Sequence, residues 1–118
     1  MKLLNAERAF VDIEKLIGYC LNFAHERGKH KARLFSTVLG LTSDNAEELR
    51  RTLIKAARNC DAELGREDQY GKRYVLDFKM TTAKGQAKVR STWIIRSHED
   101  FARLTSCYIL KRKEPHND

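Results

Sequence analysis

The sequence predicts an α+β fold in which N-terminal helices pack on a C-terminal antiparallel β-meander of three to four strands. Apolar residues recur with helical spacing as far as Asn59, and the period then drops to two. In the second half, turn-forming stretches separate runs short enough to pair as neighbours.

The elements follow in order. "ERAFV" reads as a short extended entry. In "AFVDIEKLIGYCLNF", Asp12 caps a helix whose apolar stripe is Ile13, Leu16, Ile17, Cys20 and Leu21. "NFAHERG" is a connection with Gly28 as its breaker. A second helix is expected from Lys29 to Leu39, turning Leu34, Phe35, Val38 and Leu39 inward. Thr42 or Ser43 caps a third. Its first turns carry Asp44, Glu47 and Glu48, and its later turns Arg50, Arg51, Lys55 and Arg58, an order that suits the helix dipole. Ala46, Leu49, Leu53, Ala56 and Ala57 form its buried stripe.

"DAELG" then reads as a short strand and "REDQYG" as a turn. "KRYVLDFKM" alternates, with Tyr74, Leu76, Phe78 and Met80 on one face. "TTAKGQ" turns the chain. "AKVRSTWIIRS" places Ala87, Val89, Ser91, Trp93 and Ile95 together, "HEDFAR" is a loop, and "LTSCYILK" is the last strand. At 118 residues the chain is long enough for one core. It is expected to form a single domain over 1–112, with 113–118 as a charged, flexible tail.

The bulk properties narrow the function. Apolar residues at 42% and charged residues at 33% exclude a disordered chain. No apolar run approaches the ~20 residues of a membrane span. The opening "MKLLNAERAF" lacks a signal-peptide core, so no membrane partner is expected and the expected site of action is the cytoplasm. Cys20, Cys60 and Cys107 are far apart and read as small buried thiols. With His25, His30, His98 and His116 they make no metal-ligand spacing, so no metal and no organic cofactor is expected. A net charge of +7 favours an anionic partner, nucleic acid or an acidic protein.

The sharpest feature is "RGKHKARLF", where Arg27, Lys29, Lys31 and Arg33 surround His30. The plain reading makes His30 a structural histidine at the core edge. The functional reading uses its place at the start of a helix, where free backbone N–H groups and the dipole attract phosphate. An imidazole there can exchange a proton near neutral pH. Ser91 and Trp93 share one face of their strand. Trp93 either fills the core or stacks on a base. Arg73 and Arg90, on the opposite face, are candidate phosphate contacts, and Asp77 and Glu99 are candidate partners for arginines.

Two resemblances attach to these residues. Over nearly the whole chain, "NAERAFVDIEKLIGYCLN", "RGKHKARLF", "LGLT", "YGKRYVLDF" and "RLTSCYIL" resemble an uncharacterised bacterial family, a domain of unknown function associated with toxins. From about residue 27 the order of elements is similar to the tRNA-cleaving domain of colicin D and related contact-dependent inhibition toxins, in the barnase, EndoU, colicin and RelE-like ribonuclease group. Lys29-His30 at a helix start, Phe35, Gly40, the helix from Thr42 and Ser91-Thr92-Trp93 carry the match. Where that family has a second lysine this sequence has Arg27, which keeps the charge but changes its geometry.

This resemblance implies a barnase/EndoU/colicin/RelE-like fold and a metal-independent endoribonuclease of toxin type acting on tRNA or other structured RNA. His30 would move the proton, Lys29 would stabilise the phosphorane, and Ser91 and Trp93 would line the site. Arg27, Lys31, Arg33, Arg73 and Arg90 would contact RNA phosphates. It also implies an acidic antitoxin or immunity partner, and delivery within a larger secreted toxin in relatives. The rival expectation is a non-catalytic basic module, either RNA-binding or of the immunity type.

Overall fold

A computed structural model describes residues 1–110. The expected boundary at 112 and the tail 113–118 lie outside these residues.

Helices come first. Ala6–Arg8 is a single 3-10 turn, and the expected extension through "ERAFV" reduces to one parallel bridge between Phe10 and Arg103. Helix α1 (Ile13–Lys15) starts at Asp12, whose carboxylate accepts the Glu14 N–H at 3.0 Å. It then widens into a π-turn over Leu16–Cys20, closed by the Leu21 N–H on the Leu16 carbonyl. The wider turn rotates the apolar stripe. Leu16, Cys20 and Leu21 are buried, whereas Ile17, expected inward, is 39% exposed.

Helix α2 (Lys29–Leu39) has the bounds the sequence predicts. It ends at Gly40, whose φ of 70° is the left-handed conformation glycine adopts without strain. The Gly40 and Leu41 N–H groups close back on Ser36 and Phe35. A 3-10 turn at Ser43–Asn45 leads into α3 (Ala46–Asn59). Thr42 and Asn45 form the reciprocal cap at that entry.

Four strands follow, β1 (Glu63–Asp68), β2 (Gly71–Thr81), β3 (Gln86–Arg96) and β4 (Arg103–Ile109), each antiparallel to its sequence neighbour. The α+β architecture is thus as predicted. β1 runs three residues past the expected segment, through Arg66, Glu67 and Asp68, which leaves Gln69 and Tyr70 as the turn. Gly71 sits beyond it at φ 144°, where a β-carbon would collide with the Ile95 carbonyl.

One sheet face is covered by the helices. Leu76, Phe78 and Met80 of β2, Val89, Trp93 and Ile95 of β3, and Leu104, Cys107 and Ile109 of β4 pack there with Phe35, Leu39, Leu49 and Leu53. Each fully buried leucine contributes about 1.5–3 kcal/mol by leaving water.

A bulge in β4 fixes the other face. Thr92 pairs with Ser106 but Trp93 with Leu104, so Thr105 is the extra residue. Arg90 is opposite Tyr108 and Ile94 opposite Arg103. Arg90 and Ile94 are four apart on β3, so Tyr108 and Arg103 share the face turned away from the helices.

Candidate functional site

The basic start of α2 is built by the loop before it. His25 turns its Nδ1 onto two backbone donors, accepting the Arg27 N–H at 3.1 Å and the Gly28 N–H at 3.0 Å. Its carbonyl accepts the Lys29 N–H at 2.9 Å. His25 therefore fixes the turn that leads into this helix, whose N-cap, Gly28, has no side-chain cap of its own, and the sequence did not reveal that role. The Gly28 and Lys29 N–H groups are thus satisfied by His25. This narrows the expected anion site to the first-turn N–H groups of His30 and Lys31, for which no acceptor is found among the described residues, together with side-chain charge.

The His25 ring meets the Tyr19 ring edge-on, with centroids 4.6 Å apart. Gly28 passes so close to Tyr19 that a β-carbon would come within 2.7 Å of its carbonyl oxygen. That contact seats α2 on the π-turn and aims the next residues outward. His30, Arg27 and Arg33 are exposed, and Lys29 and Lys31 are half-buried. Lys31 lies 4.6 Å from the centroid of the Tyr108 ring and 5.8 Å from that of Tyr19, so its ammonium is held over aromatic faces at the rim of β4.

Charge pairing separates two groups of cations. Arg90 donates to Asp77 through Nε and Nη2, both at 2.9 Å, and Arg73 donates to Asp68 at 2.6 Å. The Arg90 guanidinium holds the Asp77 carboxyl below its ordinary range. Asp68 is lowered by the Tyr70 backbone N–H and then by Arg73. Glu99 pairs with Arg103 at 2.6 Å. The pairings expected of Asp77 and Glu99 are therefore present, and Arg73 and Arg90 meet solvent with their charge largely offset. Among the described residues, no salt bridge involves Arg27, Lys29, Lys31 or Arg33.

Ser91 and Trp93 are in the core. Both are 0% exposed, on the helix-covered face. The Trp93 indole N–H donates to Ser91 Oγ at 2.8 Å, and the Ser91 hydroxyl donates to the Leu76 carbonyl at 2.8 Å. This corrects the expectation that they line an open site beside His30. A wholly buried indole has no face for a base, and the serine's proton is already used. Alternation placed the two side chains together correctly, but two-residue periodicity does not say which face the helices cover.

Behind Lys31, Cys20 and Cys107 are buried free thiols, and Cys60 is half-buried. The neighbouring Cys107 thiol holds the Cys20 thiol below its ordinary range, while Cys20 and burial push Cys107 up. Among the described residues, no three His, Cys, Asp or Glu side chains gather as a metal would need. No helix among them is long and apolar enough to cross a membrane.

A family model described as a domain of unknown function, DUF6883, matches residues 2–111. The chain belongs to that family. The whole-chain resemblance read from the sequence is to such a domain, and DUF6883 is the family found. Among solved structures, this DUF6883 chain is similar to a chain of a contact-dependent growth inhibition toxin–immunity protein complex from Klebsiella pneumoniae 342. The two share 16% identity over 91% of this chain and 97% of that one, with a TM-score of 0.68. At that identity the likeness establishes a common fold. No curated protein matches the chain.

Proposed function

We propose that this DUF6883 domain is a metal-independent endoribonuclease of bacterial toxin type, acting on tRNA or other structured RNA. The observation that carries the reading is the basic start of α2. Arg27, Lys29, Lys31 and Arg33 have no carboxylate partner among the described residues, and they surround an exposed imidazole, whereas Arg66, Arg73, Arg90 and Arg103 on the sheet are paired. Unpaired cations draw phosphate. An imidazole among them adds a group able to transfer protons.

In this reading the ribose 2′-oxygen attacks the adjacent phosphorus as His30 takes its proton. The new O–P bond closes a 2′,3′-cyclic phosphate, the bond to the 5′-oxygen breaks, and that oxygen leaves as a hydroxyl with a proton returned by His30 or solvent. Lys29, with Arg27 and Lys31, offsets charge growing on the nonbridging oxygens, a contribution commonly worth several kcal/mol. Arg33 holds a neighbouring phosphate. Arg73 and Arg90 act as weaker contacts because Asp68 and Asp77 occupy them. The site of action is cytoplasmic, where tRNA is available, and bases left unstacked in RNA loops are the accessible ones. The same exposed charge suits an acidic neutralising protein covering this face.

A second reading follows from the structural neighbour, which comes from a complex holding both a toxin and an immunity protein. In it the basic face binds without cutting. Incubation with tRNA in excess EDTA separates the two. The enzyme yields fragments with cyclic-phosphate and 5′-hydroxyl ends, and His30→Ala abolishes them. A binding module yields none.

A further inference from the structure

Away from α2, an open cleft of about 450 Å3 lies between Arg8, Phe10, Phe101 and Arg103. Phe10 forms one wall and is 44% exposed. Its ring is aimed by the backbone. The Phe10 N–H donates to the Ala102 carbonyl at 2.9 Å, and its own carbonyl accepts the Leu104 N–H at 3.0 Å. The Arg103 guanidinium stacks between two rings, 5.2 Å from the centroid of Phe10 and 5.0 Å from that of Phe101.

The electrostatics of the cleft exclude a phosphate site. Arg103 is held by Glu99 at 2.8 and 2.6 Å, and Arg8 by Asp100 at 3.1 and 3.0 Å. Two cations and two anions leave no net charge, and an incoming phosphate would face both carboxylates. A flat, neutral ligand with ring N–H or amino donors fits instead. It would gain a stacking face on Phe10, and the nearest acceptor oxygens are those of Asp100 and Glu99, held next to the cleft by Arg8 and Arg103.

Topology relates this cleft to the basic start of α2. The bulge at Thr105 puts Arg103 and Tyr108 on the same face of β4. Lys31 covers Tyr108, and the cleft opens at Arg103, roughly 13 Å away, since their β3 partners Arg90 and Ile94 are four residues apart at ~3.3 Å each. A polyanion anchored at α2 therefore meets an uncharged aromatic cleft further along the same strand.

We propose that the Phe10–Phe101–Arg103 cleft is a nucleobase subsite, taking one unstacked base of a single-stranded stretch of RNA whose phosphates lie on the basic start of α2. It rests on the reading of this chain as an RNA-acting domain and deepens it by adding a base-reading element separate from the phosphate contacts.

The test measures binding of the full chain to a short 2′-O-methyl oligoribonucleotide, which cannot be cut by 2′-hydroxyl attack, and to a matched strand of abasic nucleotides. Wild type should prefer the base-bearing strand. Phe10→Ala should lose about 5- to 100-fold on that strand and nothing on the abasic one. Phe10→Trp should restore the preference, and Phe101→Leu should weaken it. Far-ultraviolet circular dichroism and Trp93 emission report whether each variant is folded. Equal binding of both strands by wild type, or an equal loss on both by Phe10→Ala, overturns the subsite. Unchanged binding of both strands by a folded Phe10→Ala also overturns it. Cleavage of unmodified tRNA is assayed in parallel. Failure there with base-dependent binding intact sinks the nuclease reading alone.

Discussion

Trp93 donates its indole proton to Ser91, which passes its own to the backbone of the next strand, and neither atom meets water. Removing the serine oxygen leaves a buried N–H without a partner. Ser91→Ala should therefore lower stability by about 1–3 kcal/mol, read by urea denaturation, while retaining most of any RNA cleavage at temperatures where it stays folded. Iodide should quench Trp93 emission weakly, and saturating RNA should leave that emission nearly unchanged. Strong quenching by RNA would return the indole to the site. The sequence showed that the two residues share a face, because alternation is a local property. It did not show that the face is closed, because closure comes from α2 and α3. The exposure of His30 was open in the sequence for the same reason, since its helical position lies at the rim of the buried stripe, and it is the packing of α2 that leaves the ring exposed.

At the scale of elements, α2 depends on a turn that joins it to α1. Gly28 leaves just enough room for the Tyr19 carbonyl, and His25 holds the Arg27 and Gly28 N–H groups of the turn. Gly28→Ala should cost about 1–3 kcal/mol through that contact, and His25→Ala about 0.5–2 kcal/mol through the lost hydrogen bonds. Both are measurable as shifts of the thermal midpoint. Gly28 and Gly40 bracket α2 in the sequence, and its bounds were legible from them. The π-turn that sends Ile17 outward was not, because one widened turn leaves apolar spacing ambiguous. β1 was read short because Arg66, Glu67 and Asp68 resemble a turn in composition. They form a strand because the partners Lys72 and Gly71 are supplied by β2.

At the scale of the whole molecule, ion pairs divide the surface into neutralised and unneutralised regions. The folded-state pKa of Asp77 lies below its unfolded value because of Arg90. Glu99 and Asp100 are lowered likewise by Arg103 and Arg8. Between the folded and unfolded values the unfolded chain binds more protons. The stability these pairs contribute is thus fully present above the ordinary carboxylate pKa of about 4, and it is lost as pH falls below that through the folded values. Asp77→Asn should flatten this acid limb of the stability curve.

Across the same surface, the four unpaired cations Arg27, Lys29, Lys31 and Arg33 predict that log affinity for single-stranded RNA falls against log salt with a slope of about −3. Arg33→Gln should reduce it by about 0.7. Net charge raises the expectation of an anionic partner from composition alone. Which cations are available to it depends on strand register, which places Asp77 beside Arg90.

The most direct test of the central claim is an end analysis of tRNA incubated with the purified chain in excess EDTA, beside His30→Ala. Wild type should produce 2′,3′-cyclic phosphate and 5′-hydroxyl ends. The variant should bind RNA comparably and cut it at least about a hundredfold more slowly. Intact tRNA with the wild type, or equal cutting by the variant, would contradict the account.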